Sequence, residues 1–193
     1  WTGYILIIDA MVYKLRKDSL ISNRPSQFLG LIIASAVFWW IFELINLKVG
    51  NWNYNNVQGV YALTNVVKKT IAFSTVLPAF FETVELIRCF RLFEKKKLHK
   101  KHNITKQFIY VLIFLGVISF LLPIFFPRYF YPLIWTAFFL ILDPINYLHK
   151  QPSIIGHLKD KHLEIPFSLL LAGIIMGFFW EFWNYYAVTK WYY

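Results

Sequence analysis

Cys89 is the only cysteine in the 193-residue chain, which excludes an internal disulfide and a four-cysteine cluster. Charge is also scarce. Only 16% of residues are Asp, Glu, Lys or Arg, where a soluble domain carries about 25%. Acids are the rarer sign, with ten against 20 Lys and Arg. The histidines, at 99, 102, 149, 157 and 162, all fall outside the long apolar runs. A bis-histidine haem or a histidine-ligated chlorophyll inside a bilayer is therefore not expected. The loop histidines have no tight metal spacing, and there is no glycine-rich phosphate loop or nucleophile elbow. No cofactor is expected.

What the chain does have is apolar sequence. Hydrophobic residues make up 58%, and 21% are aromatic. They gather in six blocks, at 1–13, 28–47, 70–93, 107–126, 131–148 and 166–187. Most approach the length of about 20 residues that crosses a hydrocarbon core. The runs are continuous rather than alternating, which favours helices over barrel strands. We therefore expect an all-α polytopic bundle of about six transmembrane helices in one domain. The first block is short, and the chain opens at Trp1 and stops after Tyr193 in apolar sequence. Both ends are expected to be trimmed.

The net charge of +10 follows membrane topology rather than a nucleic-acid surface, and nucleic acid is not an expected partner. Lys14, Arg16, Lys17 and Arg24 lie in one connection. Lys95, Lys96, Lys97, Lys100 and Lys101 lie in another, and Lys150, Lys159 and Lys161 in a third. With six spans these share one side, while the two connections on the other side carry only Lys48, Lys68 and Lys69 in one case and Arg128 in the other. The positive-inside rule puts the basic loops in the cytoplasm, with a bacterial inner membrane as the expected location. The Asn-rich segment 49–67, with Trp52, Tyr54 and Tyr61, reads as an outer loop or a short interfacial helix.

The chain also repeats itself. Asp9, Tyr13 and Ser19 recur as Asp143, Tyr147 and Ser153, each shifted by 134 positions. Glu43 and Asn46 recur as Glu181 and Asn184 at 138, and Trp52 and Tyr54 as Trp191 and Tyr193 at 139. The expected layout is a repeat A at 1–54, a divergent central pair at 57–126 and a repeat B at 131–193. Both copies run in the same direction, so the pseudo-symmetry axis would lie along the membrane normal.

Six of the ten acids stand in or at the edge of spans: Asp9, Glu43, Glu82, Glu85, Asp143 and Glu181. An ionised carboxylate at mid-bilayer costs about 2.5–3.5 kcal/mol even on the lenient insertion scale. Glu43 with Asn46, and Glu181 with Asn184, share a helix face at a spacing of three. The expected catalytic residues are Glu43, Glu82 and Glu181. The expected ligand-binding residues are Asn46, Asn184, Trp40, Trp180, Trp183, Glu85 and Asp143. Polar residues in helical bundles also serve as interhelical glue, which remains open for the asparagines. Pro78, Pro123 and Pro144 are expected to kink their helices.

At LPAFFETVEL, LDPINYLHKQPSII and FFWEFWNYYAVTKWYY the chain resembles a group of bacterial multi-pass membrane proteins of unknown function. It is more weakly similar to carotenoid (lycopene) cyclase-type membrane domains, which duplicate short helical units and place acids after a proline. Pro78, Glu82 and Glu85 do so here with a different spacing.

The reading carried forward is an intramembrane site for a hydrophobic or amphipathic small molecule. Its enzymatic form would be acid catalysis on a lipid or isoprenoid. A proton- or cation-coupled transporter using the same acids is one alternative. A non-catalytic subunit of a larger membrane complex is the other, with membrane proteins as partners in addition to lipids.

Overall fold

The computed structural model describes residues 1–55, 62–98 and 103–193. Tyr61, His99, Lys100, Lys101 and His102 lie outside the described residues. The helices are α1 (Thr2–Arg16), α2 (Leu20–Asn23), α3 (Pro25–Val49), α4 (Ala62–Ser74), α5 (Val76–Cys89), α6 (Lys106–Phe125), α7 (Pro127–Phe130), α8 (Leu133–Leu148), α9 (Ile154–Lys159) and α10 (Glu164–Tyr186). Two short strands, β1 (Asn53–Tyr54) and β2 (Trp191–Tyr192), complete the described elements.

Four stretches are long and apolar enough to cross a membrane: Pro25–Val49, Leu63–Cys89, Lys106–Phe125 and Glu164–Tyr186. Much of α3 and α6 is apolar around the helix and exposed, as suits helices surrounded by lipid. Helices α1 and α8 have 15 and 16 residues. At 1.5 Å per residue they reach about 22–24 Å, short of the hydrocarbon core of about 30 Å. The architecture is that of an all-α membrane protein.

The third apolar segment starts earlier than its hydropathy suggests, because the helix from Leu63 to Cys89 takes in Lys68 and Lys69. Lys69 is accommodated by Glu43, whose Oε2 is 3.0 Å from Nζ. The run breaks at Thr75, between α4 and α5. Pro78 follows within one turn, and its missing N–H cannot serve the preceding turn. Ser35 on α3 makes good the break. Its buried hydroxyl donates to the Phe73 carbonyl and accepts the Leu77 N–H at 3.0 Å. In lipid no water could do this instead.

Contacts divide the chain into two compact units. The first holds Trp1–Leu44, Trp52–Leu92 and Ser168–Tyr193, and the second Ile45–Asn51 and Phe93–Phe167. In the first, α1 packs on α5. Ile5, Ala79 and Met176 are buried at its centre, with Tyr4, Ile21, Phe28 and Phe80 against them. Strands β1 and β2 pair antiparallel, with Asn53 opposite Tyr192 and Tyr54 opposite Trp191.

In the second unit α6 packs closely on α8. A side chain at Gly116 would bring its Cβ within 2.7 Å of Ile141 Cγ1, so the small residue lets the helices approach. The segment after α5 and the one before α10 are also joined. The Leu98 N–H donates to the Lys161 carbonyl at 3.1 Å, and the Leu163 N–H to the Lys96 carbonyl at 3.2 Å.

Candidate functional site

Helix α5 turns Pro78, Ala79, Glu82, Thr83 and Ile87 inward as its buried stripe. Glu82 sits on that stripe and has no solvent exposure at all. Among the described residues neither of its carboxyl oxygens receives a hydrogen bond. The charged groups nearest to it are Asp9, Glu85 and Arg24. Among the described residues no group of three His, Cys, Asp or Glu could hold a metal ion. Glu82 lies seven residues before Cys89, the last of α5, about 10 Å along the axis. The earlier start of the helix puts it nearer that end than mid-span.

One turn further along, Glu85 draws basic residues around it. Arg16 Nη1 is 2.6 Å from its Oε2, Arg24 Nη1 is 3.4 Å from Oε1, and Arg88 Nη1 is 3.9 Å from Oε1. Beside them opens a cavity of about 320 Å³ lined by Leu20, Arg24, Gln27, Gly30, Leu31, Phe81 and Glu85. Next to Glu82 in the chain, Thr83 donates to the Ala79 carbonyl at 2.7 Å and accepts the Tyr4 hydroxyl at 2.7 Å. That bond fastens α1 to α5.

Asp9 and Asp143 serve as helix caps. Asp9 accepts the Ser19 hydroxyl at 3.0 Å and the Ile21 N–H at 2.9 Å. Asp143 accepts the N–H of Ile154 at 2.6 Å and of Ile155 at 3.1 Å. Ser19 and Ser153 are the N-caps of α2 and α9, accepting the N–H of Ser22 and of Gly156. Each short helix thus starts with orphan amides satisfied by its own serine and by an aspartate ten residues before that serine. Asp143 also borders an apolar cavity of about 500 Å³ in the second unit, between α6, α8 and α9.

The remaining candidate residues have local partners as well. Glu43 accepts the Trp52 indole N–H at 2.9 Å, the Tyr54 hydroxyl at 2.6 Å and Lys69 at 3.0 Å. Asn184 clasps Trp191 through both amide atoms, donating to its carbonyl and accepting its N–H at 3.0 Å each. Asn46 accepts the Asn51 N–H at 2.9 Å. Glu181 is exposed and 3.4 Å from the Tyr193 hydroxyl. With Asn184, Phe178 and Phe182 it borders an open cleft of about 590 Å³. Trp40 donates to Thr70 Oγ1 at 3.0 Å. Trp180 lies 5.0 Å from Trp39 and 5.1 Å from Trp191, ring to ring, and Trp183 lies 4.5 Å from Trp1.

Of the residues singled out in the sequence, Glu82 and Glu85 fall in one cluster of the first unit. Glu181 and Asn184 share the open cleft, while Asn46 and Asp143 belong to the second unit. The structure adds Asp9, Arg16 and Arg24 to the neighbourhood of Glu82 and Glu85. The basic connections at 14–24 and after Arg88 were a signal for this, but charge counting assigned them only to topology. No protein-family model, curated protein or solved structure matches the chain.

Proposed function

We propose that the protein is a six-span membrane protein that binds an amphipathic lipid or isoprenoid beside Glu82 and uses that carboxyl as an acid. The observation that carries this is the complete burial of Glu82 without a hydrogen-bond donor. A carboxyl whose only role were structural would be expected to have donors. Buried polar groups without partners are instead common where chemistry is done. In its protonated form Glu82 can give a proton to a double bond or a leaving oxygen, and Asp9 beside it is held in place through Ser19 and Ile21. In the same reading Glu43, Asn46, Asn184 and Asp143 hold the fold, because each is engaged by its own backbone or side-chain partners.

Two features support the duplicated six-span layout. The elements correspond in order: α1 with α8, α2 with α9, α3 with α10 and β1 with β2. The ladder register is also symmetric under the repeat. Asn53 pairs with Tyr192, its own counterpart at 139, and the neighbouring pair Tyr54–Trp191 has Trp52 and Tyr193 as its image. The bonds between the Lys96–Leu98 and Lys161–Leu163 segments fit two basic loops on one side, which the positive-inside rule makes cytoplasmic.

The test is Glu82→Gln in cells that produce the full chain, with the membrane lipids extracted and compared by mass spectrometry. A lipid species that changes with the wild type and not with the variant is expected. Identical lipid profiles and identical co-purified lipid would remove the enzymatic reading. A second reading, proton-coupled transport, is favoured by the facing carboxyls of Glu82 and Asp9. It predicts acid-driven proton uptake into liposomes that Glu82→Gln abolishes.

A further inference from the structure

We infer that the cleft at the end of α10 binds the ammonium headgroup of phosphatidylethanolamine, with Glu181 as the carboxylate that receives it. The site is separate from Glu82 and needs no chemistry there. Glu181, Trp191 and Tyr193 follow Glu43, Trp52 and Tyr54 in the sequence by 138, 139 and 139 positions. The two sets are satisfied differently. Around Glu43 the Trp52 indole N–H and the Tyr54 hydroxyl donate at 2.9 and 2.6 Å. The Lys69 ammonium completes that set, 3.0 Å from Glu43 Oε2 and 4.0 Å from the centre of the Tyr54 ring. Around Glu181 the Tyr193 hydroxyl stands at a long 3.4 Å, and the Trp191 indole N–H has no acceptor among the described residues. No lysine or arginine forms an ion pair with Glu181 among the described residues. The chain thus gives an ammonium to one carboxylate of the pair and none to the other.

The surroundings favour a lipid as the source of that ammonium. Glu181 borders the cleft of about 590 Å³ together with Phe178, Phe182, Tyr186 and Lys190. Phe178, Phe182 and Tyr186 are exposed on α10, one of the stretches long and apolar enough to cross a membrane. Acyl chains are the neighbours that such a face meets in a bilayer. Aromatic faces also attract an ammonium, and more strongly where water is scarce. Helix α10 ends at Tyr186 with no basic residue in its last turn, and the negative end of its dipole favours a cation there. Lys190 donates to the Tyr185 carbonyl at 3.0 Å, which leaves its other N–H groups for the phosphate of the lipid. A headgroup that carries ammonium and phosphate together matches an acid and a base in one cleft.

The experiment is native mass spectrometry of the purified full chain in detergent, titrated with dioleoyl phosphatidylethanolamine. Parallel titrations use dioleoyl phosphatidylcholine, whose ammonium has no N–H, and dioleoyl phosphatidylglycerol, which has no cation. One saturable phosphatidylethanolamine adduct is expected, about tenfold tighter than either of the others, the scale of one charged hydrogen bond. Glu181→Gln should bring phosphatidylethanolamine down to the affinity of phosphatidylcholine. It should do so without unfolding the protein, because the residue is exposed. Glu181→Lys should reverse the order and favour phosphatidylglycerol. Equal affinity of the wild type for the three lipids would overturn the inference, and so would a phosphatidylethanolamine preference that survives in Glu181→Gln. A dimer that Glu181→Gln dissolves, with no lipid adduct, would assign the ammonium to a lysine of a second copy and also overturn it.

Discussion

Asp143 Oδ1 accepts the Ile154 N–H at 2.6 Å, and Asp9 Oδ1 accepts the Ile21 N–H at 2.9 Å. In each case an aspartate of one apolar helix captures the first turn of a short helix that leads into the next. The two bonds have the same chemical logic 134 residues apart. Replacing Asp143 by Ala removes an acceptor for two N–H groups, one of them buried. We expect a loss of about 1–3 kcal/mol, seen as a lower midpoint in detergent thermal melts. Asp143→Asn should retain part of the stability, because its amide oxygen still accepts. Equal melts for Asp143→Ala and wild type would show that the cap contributes nothing.

Much of this was open to inspection in the sequence, and the reasons for the rest are physical. The spacing of ten from Asp9 to Ser19 and from Asp143 to Ser153 marks a cap, but only when read together with the short helix that follows each serine. Hydropathy began the third segment at 70, because Lys68 and Lys69 look like a loop until Glu43 is seen to receive Lys69. The pairing of Glu43 with Asn46 on one helix face suggested a shared site. Instead Trp52, Tyr54 and Lys69 converge on Glu43, and Asn51 on Asn46. Sequence spacing predicts a helix face but not which partner a return loop will bring to it. The gathering of Arg16, Arg24 and Arg88 around Glu85 depends on how α1 and α5 pack, which no local pattern encodes.

Ser35 gives a sharper test of how a broken span survives in lipid. Its hydroxyl serves both the Phe73 carbonyl and the Leu77 N–H, so Ser35→Ala orphans two backbone groups at once. The expected cost is about 1–3 kcal/mol per unsatisfied group if nothing relaxes. Ser35→Thr keeps the hydroxyl and should be milder. Hydrogen exchange at Leu77 should quicken in Ser35→Ala, and unaltered exchange there would show that the backbone finds another partner.

Tyr54 supplies a pH dependence outside the spans. Burial, followed by its hydrogen bond to Glu43 and the Glu43 charge, holds the phenol far above its ordinary value of 10.0. The unfolded chain therefore releases this proton first as pH rises, and the stability tied to Tyr54 is full below about pH 10 and declines above it. Tyr54→Phe loses the Glu43 bond at neutral pH, about 1–2 kcal/mol. The gap between the wild-type and variant melting temperatures should narrow from pH 10 upward. A gap that stays constant to pH 11 would show that the phenol is not protected.

Glu82 allows stability and function to be set against each other. A fully buried carboxyl with no donor is a cost to folding, and leucine fills a similar volume without one. We therefore expect Glu82→Leu to raise stability by about 1–3 kcal/mol while eliminating lipid conversion, as at sites kept destabilised for their chemistry. Glu82→Gln should change stability less, because its amide can donate to Asp9 yet has no acid proton to give. The decisive measurement pairs thermal melts of both variants with the lipid profiles of the cells that produce them. If Glu82→Leu is instead destabilised while Glu82→Gln matches wild type in both stability and lipid profile, the Glu82–Asp9 contact is a structural hydrogen bond and the acid role is lost.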